Sequence, residues 1–128
     1  MIFDEVGPPW DVNAGTSMGL VTSFNGEAGL RLESLTTGGA LCIDNQFFGL
    51  AADLNGTYGL HIVGNSMGNT FWFPYFEANT TKAVLMDSVT SKNVIFGVRS
   101  GIIDDYTSGY PTDDYEDNGT ANIIWGRD

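Results

Sequence analysis

Cations, histidine, cysteine and long apolar runs are all scarce in this chain, and each scarcity removes a class of function. Its 128 residues include 5 Lys and Arg against 16 Asp and Glu, a formal charge of −11. Nucleic-acid phosphate and anionic membrane surfaces both need clustered cations, so neither is expected as a partner. A single cysteine, Cys42, rules out an intramolecular disulfide, and stability must come from burial or association. His61 is the sole histidine. A Ser-His-Asp triad could be built only on it, and no Gly-x-Ser-x-Gly elbow accompanies it. One His and one Cys also make a poor zinc set. No apolar stretch approaches the ~20 residues of a membrane span. The N-terminal residues have no basic flank followed by an apolar segment, so no secretory signal is expected there.

The residues that are plentiful point to a folded all-β domain. Hydrophobic residues make up 42% of the chain, enough for a packed core, and the 17 glycines accompany many Val, Ile, Thr, Phe and Tyr. Strands joined by tight turns are expected, with little helix.

An internal repeat sets the architecture. Asn45-Gln46-Phe47-Phe48, Asn69-Thr70-Phe71-Trp72 and Asn93-Val94-Ile95-Phe96 follow one another at intervals of 24 residues. Asp53 to Leu60 lies over Glu77 to Val84 at the same interval. Upstream, Asn25 to Leu32 matches Asn55 to Ile62 at 30, which places extra residues near Ser34 to Gly39. Downstream, Asn122-Ile123-Ile124-Trp125-Gly126 matches Asn93 to Gly97 at 29, the insertion being the acidic stretch 104–118. A unit of this length, with insertions confined to turns, suits a β-solenoid of about four coils stacking at ~4.8 Å. The chain divides into an N-terminal segment or cap (1–20), the coils (21–103), an acidic Tyr-rich loop (104–118) and a final strand (119–128). Four rungs leave two open sheet ends, so a fragment or a small fibre component is expected.

Alternation along each strand assigns faces. Leu30, Leu60 and Val84, with Leu32, Ile62 and Met86, form inward columns, and Phe47, Phe71, Ile95 and Ile124 form another. Arg31, His61, Glu33 and Asp87 then face outward. Strict alternation also puts Phe48, Trp72, Phe96 and Trp125 outside, an apolar strip suited to a subunit interface or a sugar-stacking platform, unless the strand bends there and both columns enter the core. The columns Asn45/Asn69/Asn93/Asn122 and Asn25/Asn55/Asn79 are expected to form carboxamide ladders that satisfy turn backbone groups.

Gly59-Leu60-His61-Ile62 with Asn69-Thr70-Phe71-Trp72, then Phe76-Glu77-Ala78-Asn79-Thr80, Ala83-Val84-Leu85-Met86-Asp87 and Asn93-Val94-Ile95-Phe96-Gly97 resemble the right-handed parallel β-helix of the pectate-lyase-like superfamily. The phrasing is most similar to bacteriophage tailspike and tail-fibre proteins. The resemblance implies a virion or extracellular homotrimeric spike that binds, and often cleaves, bacterial surface polysaccharide. The Asn-Thr-Asp, Gly-His-Gly and Arg-Ile-Lys signatures of pectin hydrolases are absent, which argues against pectin as the substrate.

Candidate chemistry is sparse. Asp53 and Glu77 fall one rung apart, a separation of ~5 Å that matches a retaining glycosidase pair. Together with Asp87 they are the candidate acids and bases of a polysaccharide depolymerase. Arg31, His61, Trp72, Tyr106 and Tyr110 are candidate glycan contacts, and the strip from Phe48 to Trp125 is the candidate interface. Asp104, Asp105, Asp113 and Asp114 could supply oxygen ligands to Ca²⁺, though their spacing fits no EF-hand; no other cofactor is expected. Without a complete catalytic set, recognition is favoured over catalysis.

Overall fold

The computed structural model describes residues 2–4, 12–13, 15–34, 42–101 and 115–125. Among them there is no helix, and the strands are two to six residues long. Numbered in chain order, they form three main sheets. Sheet 1 stacks β1 (Ile2–Asp4), β5 (Leu30–Glu33), β9 (Tyr58–Val63), β12 (Lys82–Met86) and β15 (Tyr115–Asp117). Sheet 2 stacks β3 (Thr16–Met18), β7 (Gln46–Phe48), β10 (Thr70–Trp72), β13 (Val94–Phe96) and β16 (Ile123–Trp125). Sheet 3 stacks β4 (Val21–Ser23), β8 (Ala51–Asp53), β11 (Tyr75–Glu77) and β14 (Arg99–Gly101). A narrow fourth ladder pairs β2 (Val12–Asn13) with β6 (Cys42–Ile43) and continues as single bridges through Met67, Ser91 and Thr120.

Every pairing is parallel. Phe47 pairs with Phe71 and Phe71 with Ile95, so residues 24 apart lie side by side on adjacent strands, an arrangement compatible with a β-helix-like solenoid. Glu33 pairs with Val63 at an offset of 30, whereas Ile43 bridges Met67 at 24. The six extra residues therefore fall between Glu33 and Ile43. Sheets 1 and 2 are five strands deep. Three short strands within the first 20 residues join the stack, and Tyr115–Asp117, at the end of the acidic stretch, is itself a strand beside β12. Thr16-Ser17-Met18 lacks the Asn and aromatic pattern of later rungs, so its place was not readable from residue types.

The core comes from the inward positions of all three sheets. Leu30, Leu32, Leu60, Ile62, Val84 and Met86 are fully buried from sheet 1, Phe71 and Ile95 from sheet 2, Ala52 and Phe76 from sheet 3. They belong to one contiguous cluster. Phe47 and Phe71 stack with ring centroids 4.8 Å apart, the rise of one rung, and Ile124 packs on the same cluster at the end of the row. Like side chains in adjacent rungs bury one another's apolar surface at about 25 cal/mol per Å².

The corners between sheets are single left-handed residues, which reverse the chain in the fewest atoms. Asp44, Gly68, Lys92 and Ala121 make one column at φ of 54° to 68°, Gly19, Gly49, Phe73 and Gly97 a second, and Phe24, Leu54 and Ala78 a third. In the first and third columns the next residue is an asparagine, whose short amide satisfies the groups the corner exposes. Asn45, Asn69 and Asn93 each donate Nδ2–H to the Oδ1 of the asparagine one rung on, at 3.0, 3.0 and 3.1 Å, the last acceptor being Asn122. Each also donates its backbone N–H to that same oxygen. Asn25, Asn55 and Asn79 repeat the scheme at 2.9 and 2.8 Å. Both expected ladders are present.

Candidate functional site

With the inward positions filled by core, the chemistry lies on the outward faces, and they differ. On sheet 2 the outward columns are Thr16/Gln46/Thr70/Val94/Ile123 and Met18/Phe48/Trp72/Phe96/Trp125. None of these ten positions is charged. The aromatic column is continuous: Phe48 stacks on Trp72 at 6.1 Å, Phe96 meets Trp72 edge-on at 5.6 Å, and Trp125 follows Phe96 at 6.0 Å. Met18, Phe48 and Trp125 are 79%, 37% and 65% exposed, whereas Trp72 and Phe96 in the middle of the row are half-buried. The sheltered Trp72 Nε1–H has no acceptor among the described residues.

Phe73 enlarges this strip. It occupies a left-handed corner, φ 54°, in a column otherwise made of Gly19, Gly49 and Gly97. A bulky residue there is a backbone outlier. Its ring is 59% exposed, meets Phe96 edge-on at 5.9 Å and covers Gly97, where an added Cβ would strike the ring. Neither Phe73 nor Met18 was singled out from the sequence. An aromatic interrupting a glycine column at the repeat interval was the available signal for Phe73.

Among its described residues, sheet 1 carries two ion pairs and a histidine–carboxylate contact. Arg31 Nε lies 2.9 Å from Glu33, Lys82 Nζ 3.0 Å from Glu116, and His61 Nε2 3.2 Å from Asp87. The Glu116 carboxyl sits below its usual range because Asn118 and Lys82 donate to it. Tyr58 tilts against the His61 ring at 4.7 Å. Among the described residues, two hollows on this face stand out. One, of about 190 Å³, is lined by Glu27, Ala28, Arg31, Thr57, Tyr58 and His61. The other, of about 630 Å³ and wide open, is lined by Val63, Gly64, Asp87, Ser88, Val89 and Asn118. Arg31 and His61, both expected as glycan contacts, share the first hollow. Trp72 stands apart from them on sheet 2.

On sheet 3, Asp53 and Glu77 are neighbours across paired strands. Each already accepts a hydroxyl hydrogen bond, Asp53 from Ser23 and Glu77 from Tyr75. The bond to Glu77, aided by burial and by the charges of Glu77 and Asp53, holds the Tyr75 phenol up to about 12. Asp87 belongs to sheet 1, so the three candidate catalytic carboxylates lie on two different faces. Tyr106, Tyr110, Asp104, Asp105, Asp113 and Asp114 lie outside the described residues. Among the described residues no His, Cys, Asp and Glu side chains group as a metal site would require.

Compared with protein-family models, with curated proteins and with solved structures, the chain has no match in any of the three.

Proposed function

We propose that this chain is a right-handed parallel β-helix module of the pectate-lyase-like kind, similar in role to a bacteriophage tailspike or tail fibre. It recognises bacterial surface polysaccharide as part of a homotrimeric virion or extracellular spike. The observation that carries this reading is the division of labour between outward faces. Sheet 2 offers a charge-free aromatic row in a chain of net charge −11, and three such chains can pack closely only where carboxylates do not oppose one another. Its rings spend much of their faces on each other, which suits a packed interface better than a sugar platform. Sheet 1 offers the hollows and polar pairs that a glycan needs.

A depolymerase is the second reading, favoured by the pairing of Asp53 with Glu77 and by the His61–Asp87 contact. Sedimentation of the intact chain, together with polysaccharide binding and release of reducing or unsaturated sugar ends, separates the two. A trimer that binds glycan without cleaving it is expected. Cleavage that Glu77→Gln abolishes while binding persists would establish the enzyme instead, and a monomer without glycan affinity would refute both.

A further inference from the structure

The first hollow on sheet 1 begins at Glu27 and Tyr58, and the second ends at Val63 and Val89. Between them stands the His61–Asp87 contact, with His61 lining one hollow and Asp87 the other. Both are served by β9, whose advance from Tyr58 to Val63 is roughly 17 Å at the strand rise. The first hollow spans the rungs of β5 and β9 and the second those of β9, β12 and β15, so the line joining them runs obliquely, along the strands and one rung or more up the stack.

Charge on this line is already spent. Arg31 and Lys82 each face a carboxylate within 3.0 Å, His61 shares a hydrogen bond with Asp87, and the surrounding chain is strongly acidic. An acidic sugar would have to break one of these pairs or sit unpartnered beside Glu33, Asp87 or Glu27. A hydroxyl-bearing sugar faces no such cost. It can donate to the carboxylates and accept from the guanidinium while the pairs stay intact, and the Tyr58 ring supplies an apolar wall.

Resting on the glycan-binding reading above, we infer that sheet 1 takes an uncharged polysaccharide segment laid obliquely across both hollows, with the His61–Asp87 pair beneath it. Uronate-, sialate- or phosphate-bearing chains are excluded from this site.

The test prints intact polysaccharides on one array: dextran, mannan, galactan and O-polysaccharides without acidic sugars, beside alginate, hyaluronate and polysialate. The full chain is expected to bind uncharged members alone, with little change between low and high salt. Tyr58→Ala at one end and Val89→Asp at the other are each expected to weaken the same signal by about tenfold, as loss of a central contact does. Both variants must keep the wild-type circular dichroism spectrum. Glu33→Gln frees the Arg31 guanidinium and is expected to add acidic members to those bound.

Binding to acidic members that salt abolishes would overturn the inference and leave the glycan reading standing. So would insensitivity to Val89→Asp, which would confine the ligand to one hollow. A Glu33→Gln chain still blind to acidic members would overturn the charge-pairing explanation. Silence across the whole array would remove the glycan reading and this inference with it.

Discussion

On sheet 2 the ten outward positions hold aromatic, aliphatic and uncharged polar side chains, whereas on sheet 1 the outward columns mix Arg31, Glu33, His61, Asp87 and Glu116 with Val63 and Leu85. Both faces stand on the same core cluster and share the same 24-residue step through the central rungs. Inward residues are constrained by packing, and the two sheets solve that constraint alike, with apolar columns in register. Outward residues escape it. Where two outward faces diverge this far on a common scaffold, the divergence reports what each face meets.

The comparison is broken most severely from beneath. Phe71→Ala removes a fully buried ring shared by the whole cluster, and denaturant unfolding is expected to show a loss of about 3–5 kcal/mol. Both faces should fail together. Trp72→Ala, one residue along on the outward side, is expected to cost far less. Equal losses would mean that the aromatic row belongs to the core.

Asn69→Ala attacks the corner. It removes the oxygen on which the Asn45 amide and backbone N–H converge, and one of the donors to the Cys42 carbonyl, which keeps the Met67 N–H. A cost of about 2–3 kcal/mol is expected from the buried groups left unpaired, measured as a lower midpoint with unchanged m-value.

A titration sharpens the contrast with sheet 3. Of the five tyrosines, Tyr75 is expected to ionise at about 12 by ultraviolet difference absorbance. Its folded value is raised above the ordinary 10, so its contribution to stability is fully present below pH 10 and disappears as pH rises through 12. Glu77→Gln should move that ionisation back toward the ordinary value. A Tyr75 that titrates normally in the wild type would mean the hydroxyl does not rest on Glu77. The smallest effect belongs to the sheet 1 pairs, whose side chains remain partly in water. A double-mutant cycle on Arg31 and Glu33 should give less than about 1 kcal/mol, so that their pairing affects specificity more than stability. A coupling several times larger would mark the pair as structural.

The repeat itself was legible because a stacked coil forces like residues into like positions: Asn45/Asn69/Asn93 and Phe47/Phe71/Ile95 carry the interval openly. In and out followed from the two-residue period for the core columns, whereas in the outward aromatic row Trp72 and Phe96 are half-buried. The final strand at Ile123–Trp125 was legible from its match to Asn93 to Gly97, but Thr16-Ser17-Met18 and Tyr115-Glu116-Asp117 were not, since they pair through backbone groups that any sequence can present. The site was legible only as a set of columns. Register sets His61 beside Leu85, yet its partner is the diagonal Asp87, and diagonal reach depends on rotamers. Tyr58 and Thr57 lay unnoticed because their role comes from a hollow shaped by two rungs together.

The asparagine columns have one more implication, for how such a molecule changes size. Because each carboxamide grips the next in the same direction, duplicating one 24-residue block lengthens the rod by a single step and preserves every grip, whereas adding 23 or 25 residues within a coil breaks two rows at once. Growth is therefore quantised. The extra residues between Glu33 and Ile43 widen the Asn25–Asn55 interval to 30, yet the two carboxamides still meet at 2.9 Å, so an addition between strands is absorbed without loss of the grip.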